Sequence, residues 1–215
     1  MYYDDRVLVF GLTGGIASGK SAVAARLRAR RVPVVDADLL ARAVVSPGSP
    51  GLAEVVGAFG DGVLTSDGAL DRARLAAIVF GDEAKRAQLN AILHPRIAQA
   101  GAAALQQLAA HGEPLACYEA ALLVENGVAD AFRPLVVVSA SEATQIERAM
   151  LRDRASREQV EARLRAQLPL AAKVSAADFV IANDDSLDAL HAKTDRLLSD
   201  LCDRAGVAIS RYPAP

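Results

Sequence analysis

One glycine-rich segment constrains the fold of this chain more than any other. Residues 14–21 read Gly-Gly-Ile-Ala-Ser-Gly-Lys-Ser and fit the phosphate-loop pattern GxxxxGK[ST] at every required position. A short apolar run precedes the segment and a helix-forming sequence follows it, which is the strand–loop–helix context that the pattern requires. The candidate nucleotide-binding residues are Gly14, Gly15, Ile16, Ala17, Ser18, Gly19, Lys20 and Ser21.

The chemistry of such a loop follows from its backbone. Glycines let the chain curl so that several N–H groups point at one anion, and the positive end of the next helix adds to that field. We expect Lys20 to reach the β- and γ-phosphates and the Ser21 hydroxyl to bind Mg²⁺. The alternative is a glycine-rich turn that happens to precede a helix. The context favours a nucleoside triphosphate site.

The charge balance argues against a polyanionic partner. The 215 residues carry a formal net charge of −2 and a pI of about 5.9, which gives no overall attraction to nucleic acid or to an anionic membrane. Cys117 and Cys202 lack the spacing of a zinc site and are expected to be reduced thiols. With no signal peptide and no apolar run of membrane-spanning length, we expect a cytoplasmic protein.

Five short, continuous apolar runs predict parallel strands that are buried on both faces, and helical patterns separate them. This alternation predicts an α/β fold, a three-layer α/β/α sandwich around a five-stranded parallel sheet, with ligands at the carboxyl ends of the strands. The predicted strands are residues 6–10, 32–36, 114–117, 135–138 and 179–181.

Within a single domain of residues 1–215, two segments do not belong to this alternation. Residues 39–97 are far longer than a crossover helix needs and hold turn signals with several helices between them, one of which Asp71 is predicted to cap. Residues 148–173 are rich in arginine. We expect the last five residues, 211–215, to be frayed.

Two carboxylates stand at the predicted end of the second strand. Asp36 and Asp38 would point to the same side if the chain stays extended, at the edge where the phosphate loop opens. At least one of them is then expected to face the transferred phosphoryl group, accept the proton of an attacking hydroxyl and aim its oxygen. The alternative is that one aspartate caps the next helix while the other is solvated.

The arginine-rich segment suggests a lid over the phosphates. Guanidinium groups there would neutralise the charge on the transferring group, and a mobile cover would exclude water. We place Arg152 first and Arg148 second as phosphate contacts, because both lie near the start of the segment. The alternative is a solvated helix face on which arginines pair with neighbouring acids.

Two further residues are ambiguous from the sequence. His94 precedes Pro95 at a predicted helix start, where a structural role is favoured over substrate binding. Glu125 follows the third strand at the carboxyl edge, where it would order a binding loop, contact Mg²⁺ through water, or simply be a surface acid.

Taken together, these blocks resemble the dephospho-coenzyme A kinase family. They occur in the family's order and span nearly the whole chain, and the blocks after the phosphate loop make the match specific. They are residues 13–21, Val-Asp-Ala-Asp at 35–38 with Ala-Arg at 41–42, Asp-Gly-Ala-Leu-Asp-Arg at 67–72, Leu-Asn-Ala-Ile-Leu-His-Pro at 89–95, Leu-Leu-Val-Glu at 122–125, Arg-Asp at 152–153 with Arg157, and Ala-Asp-Phe-Val-Ile-Ala-Asn at 177–183.

The resemblance implies ATP-dependent phosphorylation of the ribose 3′-hydroxyl of dephospho-coenzyme A, the last step of coenzyme A synthesis. It implies a phosphate-loop NTPase fold similar to nucleoside monophosphate kinases, with residues 39–97 as a helical substrate-binding region and 148–173 as a lid. By position, the family pattern implies Asp38 as general base, Lys20 and Ser21 at the phosphates and Mg²⁺, Arg152 in the lid, Asn183 near the adenine, and Arg42, Arg72, His94 and Glu125 on the substrate side.

The chain departs from the family pattern at three positions. Ala121 replaces a usual proline in the loop after the third strand, Ala17 stands where glycine is common in the phosphate loop, and Ala22 replaces a second hydroxyl after Ser21. The first departure bears on the shape of that later loop. The other two still permit the phosphate loop and the metal contact.

Three other functions compete with this interpretation. Another small-molecule or nucleoside kinase of the same fold is excluded only by the blocks after the phosphate loop. A GTP-dependent switch normally needs an Asn-Lys-x-Asp motif, and no Asn-Lys pair occurs in the sequence. A nucleic-acid-dependent ATPase needs a basic groove that the overall charge does not indicate. The expected partner is therefore a small-molecule substrate, without nucleic acid or membrane.

Overall fold

The computed structural model describes residues 7–215, which form two compact units. We call residues 7–35 and 106–215 the sheet unit and residues 36–105 the helical unit. The strands are β1 (Leu8–Gly14), β2 (Val34–Asp36), β3 (Leu115–Glu119), β4 (Leu135–Ser139) and β5 (Phe179–Ala182). The helices are α1 (Lys20–Ala29), α2 (Ala37–Ala43), α3 (Pro50–Phe59), α4 (Arg72–Val79), α5 (Glu83–Ala110), α6 (Glu142–Asp153), α7 (Arg157–Arg165), α8 (Leu170–Ser175) and α9 (Leu187–Ala205).

The five strands form one sheet in the order β2-β3-β1-β4-β5. β1 pairs in parallel with β3 and β4, and β4 pairs in parallel with β5. The predicted α/β fold with a five-stranded parallel sheet is confirmed. β1 runs on to Gly14, beyond the predicted end at Phe10, and the predicted first residue of that strand, Arg6, lies outside the described residues.

The sheet unit has its main core on one face of the sheet. There α1 and α9 pack through leucines such as Leu27 and Leu198 against alternate strand residues such as Phe10 and Val136, all fully buried. On the other face, Phe132 stacks on Tyr118 with ring centroids 4.0 Å apart. Burial on both faces explains why the strands read as continuous apolar runs.

The chain end closes this core, which corrects the expectation of a frayed segment 211–215. Tyr212 is 1% exposed, and its carbonyl accepts hydrogen bonds of 2.9 and 2.7 Å from the Arg30 guanidinium. An aromatic ring that fills a core gap outweighs the tendency of chain ends to fray.

The helical unit has a separate apolar core centred on Val55, Val63 and Leu75. Its helices begin at side-chain caps, and Asp71 accepts from the Arg74 amide as predicted. His94 lies in the interior of α5, so the predicted helix start at this position is wrong. Within residues 7–215, no helix is long and apolar enough to cross a membrane.

Candidate active site

The phosphate loop connects β1 to α1 and has the backbone shape that its sequence predicts. Gly19 adopts a left-handed φ of 99°, and a Cβ on Gly14 would lie 2.6 Å from the Val138 carbonyl oxygen. Only glycine meets both demands without strain or a clash. Ala17, where the family usually has glycine, also adopts a left-handed conformation with φ 53°.

Asn183 supports this loop from below. Its Nδ2 donates to the Ser18 carbonyl at 2.8 Å, and its own carbonyl accepts from the Arg148 guanidinium at 2.9 Å. A Cβ on Gly19 would lie 2.0 Å from the same Nδ2. Asn183 and Arg148, both predicted as nucleotide contacts, therefore fix the loop backbone in this structure.

Lys20 is held by an acid that the sequence analysis did not identify. Its Nζ lies 2.7 Å from Oε1 of Glu119, and Arg28 donates to Oε2 of the same carboxylate at 3.1 Å. The Glu119 side chain is 3% exposed and ends β3, opposite Leu12 of β1. The available signal was a single acid at the end of a fully apolar run.

A glutamine occupies part of the anion-binding loop. The Ile16 amide donates to Oε1 of Gln167 at 3.2 Å, and Gln145 packs against Gly15. A cavity of about 250 Å³ opens beside the loop, between α6, α7 and the start of α8. Its lining includes Gly15, Glu161, Arg165 and Gln167. No local pattern identified Gln167, because its partner lies 151 positions away.

The predicted lid arginine Arg152 makes a two-point contact with an acid instead of standing alone. Its guanidinium donates to both oxygens of Asp153 at 2.8 and 3.0 Å, and Arg163 also reaches Asp153. These guanidinium groups, Arg152 foremost, hold the pKa of Asp153 below its usual value. The ion-paired helix face that the sequence offered as an alternative is thus present here.

Glu125 lies against a buried lysine. Lys173 has no solvent exposure, its Nζ is 2.5 Å from Oε1 of Glu125, and it also donates to the Ala121 carbonyl at 3.3 Å. Of the roles that the sequence allowed for Glu125, ordering the loop after β3 fits this pair best. The contact ties α8, at the end of the predicted lid, to that loop.

The two aspartates after β2 do not lie along one extended strand, which corrects that expectation. The strand ends at Asp36, whose carboxylate caps α2 by accepting from the Asp38 and Leu39 amides. Asp38 is exposed in the first turn of α2. The alternative of one capping and one solvated aspartate describes this geometry. The other predicted substrate residues of the helical unit, Arg42, Arg72 and His94, are exposed as well.

The sequence predicts a metal contact at Ser21, which lies exposed in the first turn of α1. Within residues 7–215, no group of three His, Cys, Asp or Glu side chains comes together as a metal site. Mg²⁺ keeps several waters and takes one or two protein oxygens beside those of substrate phosphates. The Ser21 hydroxyl is a donor of that kind.

A parallel sheet whose central strand runs into a phosphate loop, with Lys20 at the loop and an arginine-rich helical segment beside it, defines a phosphate-loop kinase. The comparisons with known proteins narrow this class. A model of the dephospho-CoA kinase family matches residues 8–189. The chain belongs to the dephospho-CoA kinase family.

Individual relatives agree with the family assignment. The chain is 50% identical to a dephospho-CoA kinase of Anaeromyxobacter dehalogenans over 95% of this chain and 97% of the relative. It is 45% identical to that of Thermobifida fusca, over 91% and 96%. The crystal structure of TT1252 from Thermus thermophilus covers 92% of this chain and 99% of its own, with a TM-score of 0.79 and 34% identity.

Proposed function

We propose that this protein transfers the γ-phosphoryl group of ATP to the ribose 3′-hydroxyl of dephospho-coenzyme A and so forms coenzyme A. The observation that carries the proposal is the family match over residues 8–189, which includes the phosphate loop with Lys20 and the later blocks. Another small-molecule or nucleoside kinase of the same fold is the alternative. We further propose that the enzyme works in the cytoplasm.

The phosphate loop and Lys20 bind the β- and γ-phosphates in this proposal. Asp38 accepts the proton of the 3′-hydroxyl while that oxygen bonds to the γ-phosphorus. The bond between the γ-phosphorus and the β–γ bridging oxygen breaks, and ADP leaves with its electron pair. Arg152 and Arg148 neutralise charge on the transferring group, which requires Arg152 to exchange Asp153 for phosphate.

Mg²⁺ is the implied metal, and the Ser21 hydroxyl would hold it together with phosphate oxygens. When bound, the ion neutralises phosphate charge in such reactions. The exposed hydroxyl at the start of α1 is a hard oxygen donor of the kind that Mg²⁺ prefers. The remaining coordination positions belong to water and the nucleotide.

For the acceptor we propose Arg42, Arg72 and His94 as binding residues. Their exposed cationic or imidazole side chains suit the pyrophosphate of dephospho-coenzyme A. Glu125 acts indirectly, by ordering the loop after β3 through Lys173. Residues 148–173 form the lid, which excludes water when both substrates are bound.

The direct test is to incubate the purified protein with ATP, Mg²⁺ and dephospho-coenzyme A and to weigh the product by mass spectrometry. We expect one phosphoryl group to be added, and none in a reaction without ATP. A mixed assay that also offers nucleosides and a shikimate-like alcohol tests the alternative. Phosphorylation of one of these acceptors, with dephospho-coenzyme A unchanged, would exclude the proposal.

A further inference from the structure

The buried carboxylate of Glu119 stands out among the charged groups near the phosphate loop because two cations share it. One oxygen faces Lys20 Nζ at 2.7 Å and the other faces Arg28 at 3.1 Å. The side chains are 3% exposed for Glu119, 13% for Lys20 and 42% for Arg28. We propose that Glu119 is a positioning residue that aims Lys20 at the phosphates, and that Arg28 keeps this three-residue cluster positively charged.

The first step of the argument concerns direction. A lysine side chain has four flexible carbons, and its ammonium carries three donors. Glu119 engages one of them from the end of β3, the strand beside β1. Two donors remain for phosphate oxygens, so Lys20 does not have to leave Glu119 when the nucleotide binds. A lysine anchored in this way reaches the phosphates with less loss of rotamer freedom.

The second step concerns charge. A buried Glu119–Lys20 pair on its own would be neutral and would cancel the attraction of Lys20 for phosphate. Arg28, two turns further along α1, donates to the second carboxylate oxygen and restores a net charge of +1 to the cluster. It also compensates the buried carboxylate, which is costly to leave with too few partners. Arg28 therefore acts on the nucleotide without touching it.

These roles predict opposite effects of two substitutions on ATP affinity. Glu119→Gln keeps the side-chain shape, removes a negative charge near the phosphates and releases Lys20. We expect kcat to fall about tenfold or more while the Kd for ATP stays equal or becomes smaller. Arg28→Gln leaves Glu119 on Lys20 and removes the net charge. We expect the Kd for ATP to rise about three- to tenfold, with kcat within about threefold of wild type.

The measurement is calorimetric titration of each variant with ATP and Mg²⁺, together with steady-state turnover of dephospho-coenzyme A. Arg196→Gln is the matched control, since it removes one exposed charge on α9 outside the cluster. A parallel loss of kcat and ATP affinity in Glu119→Gln, with a lower Tm, would mean a structural role only. An unchanged kcat would also overturn the proposal.

The turnover arm rests on the proposed function, whereas the affinity arm does not. If dephospho-coenzyme A is not phosphorylated by the wild type, the opposite shifts in ATP affinity still test the cluster. Arg28 is partly exposed and its replacement is expected to fold, so that arm decides the role of Arg28 even if Glu119→Gln is unstable. In that case Glu119→Asp, which retains the charge, replaces it and should keep the wild-type Kd while lowering kcat. If Asp lowers both together, the positioning role is wrong.

Discussion

The two units of this protein differ in what they bury. Every buried polar or charged side chain among residues 7–215 lies in the sheet unit, including Glu119, Lys173 and Asn183. The helical unit buries an apolar core and leaves its candidate site residues, Asp38 among them, exposed. Buried partners fix the groups of the sheet unit before any ligand binds. Groups of the helical unit would be ordered by the substrate itself, at a cost in side-chain entropy.

The largest effect that this comparison predicts is at Lys20, in the preorganised unit. Lys20→Ala removes the cation at the β- and γ-phosphates and is expected to abolish measurable turnover, since a cation at a transferring phosphoryl group contributes about 10³–10⁵-fold. Lys85→Ala, an exposed lysine of the helical unit, is the control and should retain activity. Steady-state assays decide between these outcomes, and unchanged turnover in Lys20→Ala would exclude the phosphate-loop assignment.

At the exposed site of the helical unit, Asp38→Asn is expected to lower kcat by about 10²–10⁴ while ATP affinity changes little, because it removes a proton acceptor and leaves the loop intact. Asp36→Asn is the matched comparison, since asparagine still caps α2. Turnover and calorimetry on both variants separate the two aspartates. A larger kcat loss in Asp36→Asn would move the catalytic role to Asp36.

Stability should show the same contrast between the units. Lys173→Met breaks a buried pair with Glu125 and is expected to cost about 3–5 kcal/mol of unfolding free energy. Lys85→Met removes an exposed pair with Asp82 and should cost no more than about 0.5 kcal/mol. Urea denaturation measures both. If Lys173→Met with Glu125→Gln regains none of the loss, an unpaired charge is not the cause.

The smallest predicted effect is on the acid side of the stability profile. Arg26, with help from Arg30, lowers the pKa of Asp195 below its unfolded value of about 3.9. The pair therefore stabilises the fold above that pH, and its contribution is lost as the pH falls through the lowered pKa. Asp195→Asn should cost about 1 kcal/mol at pH 7 and flatten the decline below pH 4.

Denaturant melts between pH 2 and 7 test this expectation, with Glu83→Gln, an exposed acid of the helical unit, as the control. An unchanged slope in Asp195→Asn would show that the ion pair between α1 and α9 contributes little to the pH dependence. An equal change in Glu83→Gln would remove the distinction between the units.

The phosphate loop could be predicted because its signal is local. Glycines, lysine and serine within eight positions determine both the backbone shape and the chemistry. The sheet followed from continuous apolar runs, which report burial on both faces. Asp71 was recognised as a cap for the same reason, since the cap and its amide lie three positions apart. Each of these features depends on neighbouring residues alone.

Partners that are distant in sequence could not be predicted. Glu119 lies 99 positions from Lys20, and the Arg30 contact with Tyr212 spans 182. Asp38 shows a different difficulty. An apolar strand run does not say where extension stops, and Asp36, a good helix cap, ends it one residue before Ala37 begins α2. The side-chain direction at Asp38 changed with that boundary.

The contact between Gln167 and the Ile16 amide has a practical consequence for inhibitor design. A neutral amide oxygen satisfies a donor of a loop that is suited to phosphate. An uncharged carboxamide fragment, placed where the Gln167 oxygen lies and extended into the adjoining cavity of about 250 Å³, would engage the same donor. Such a compound would avoid the poor membrane permeation of phosphate mimics.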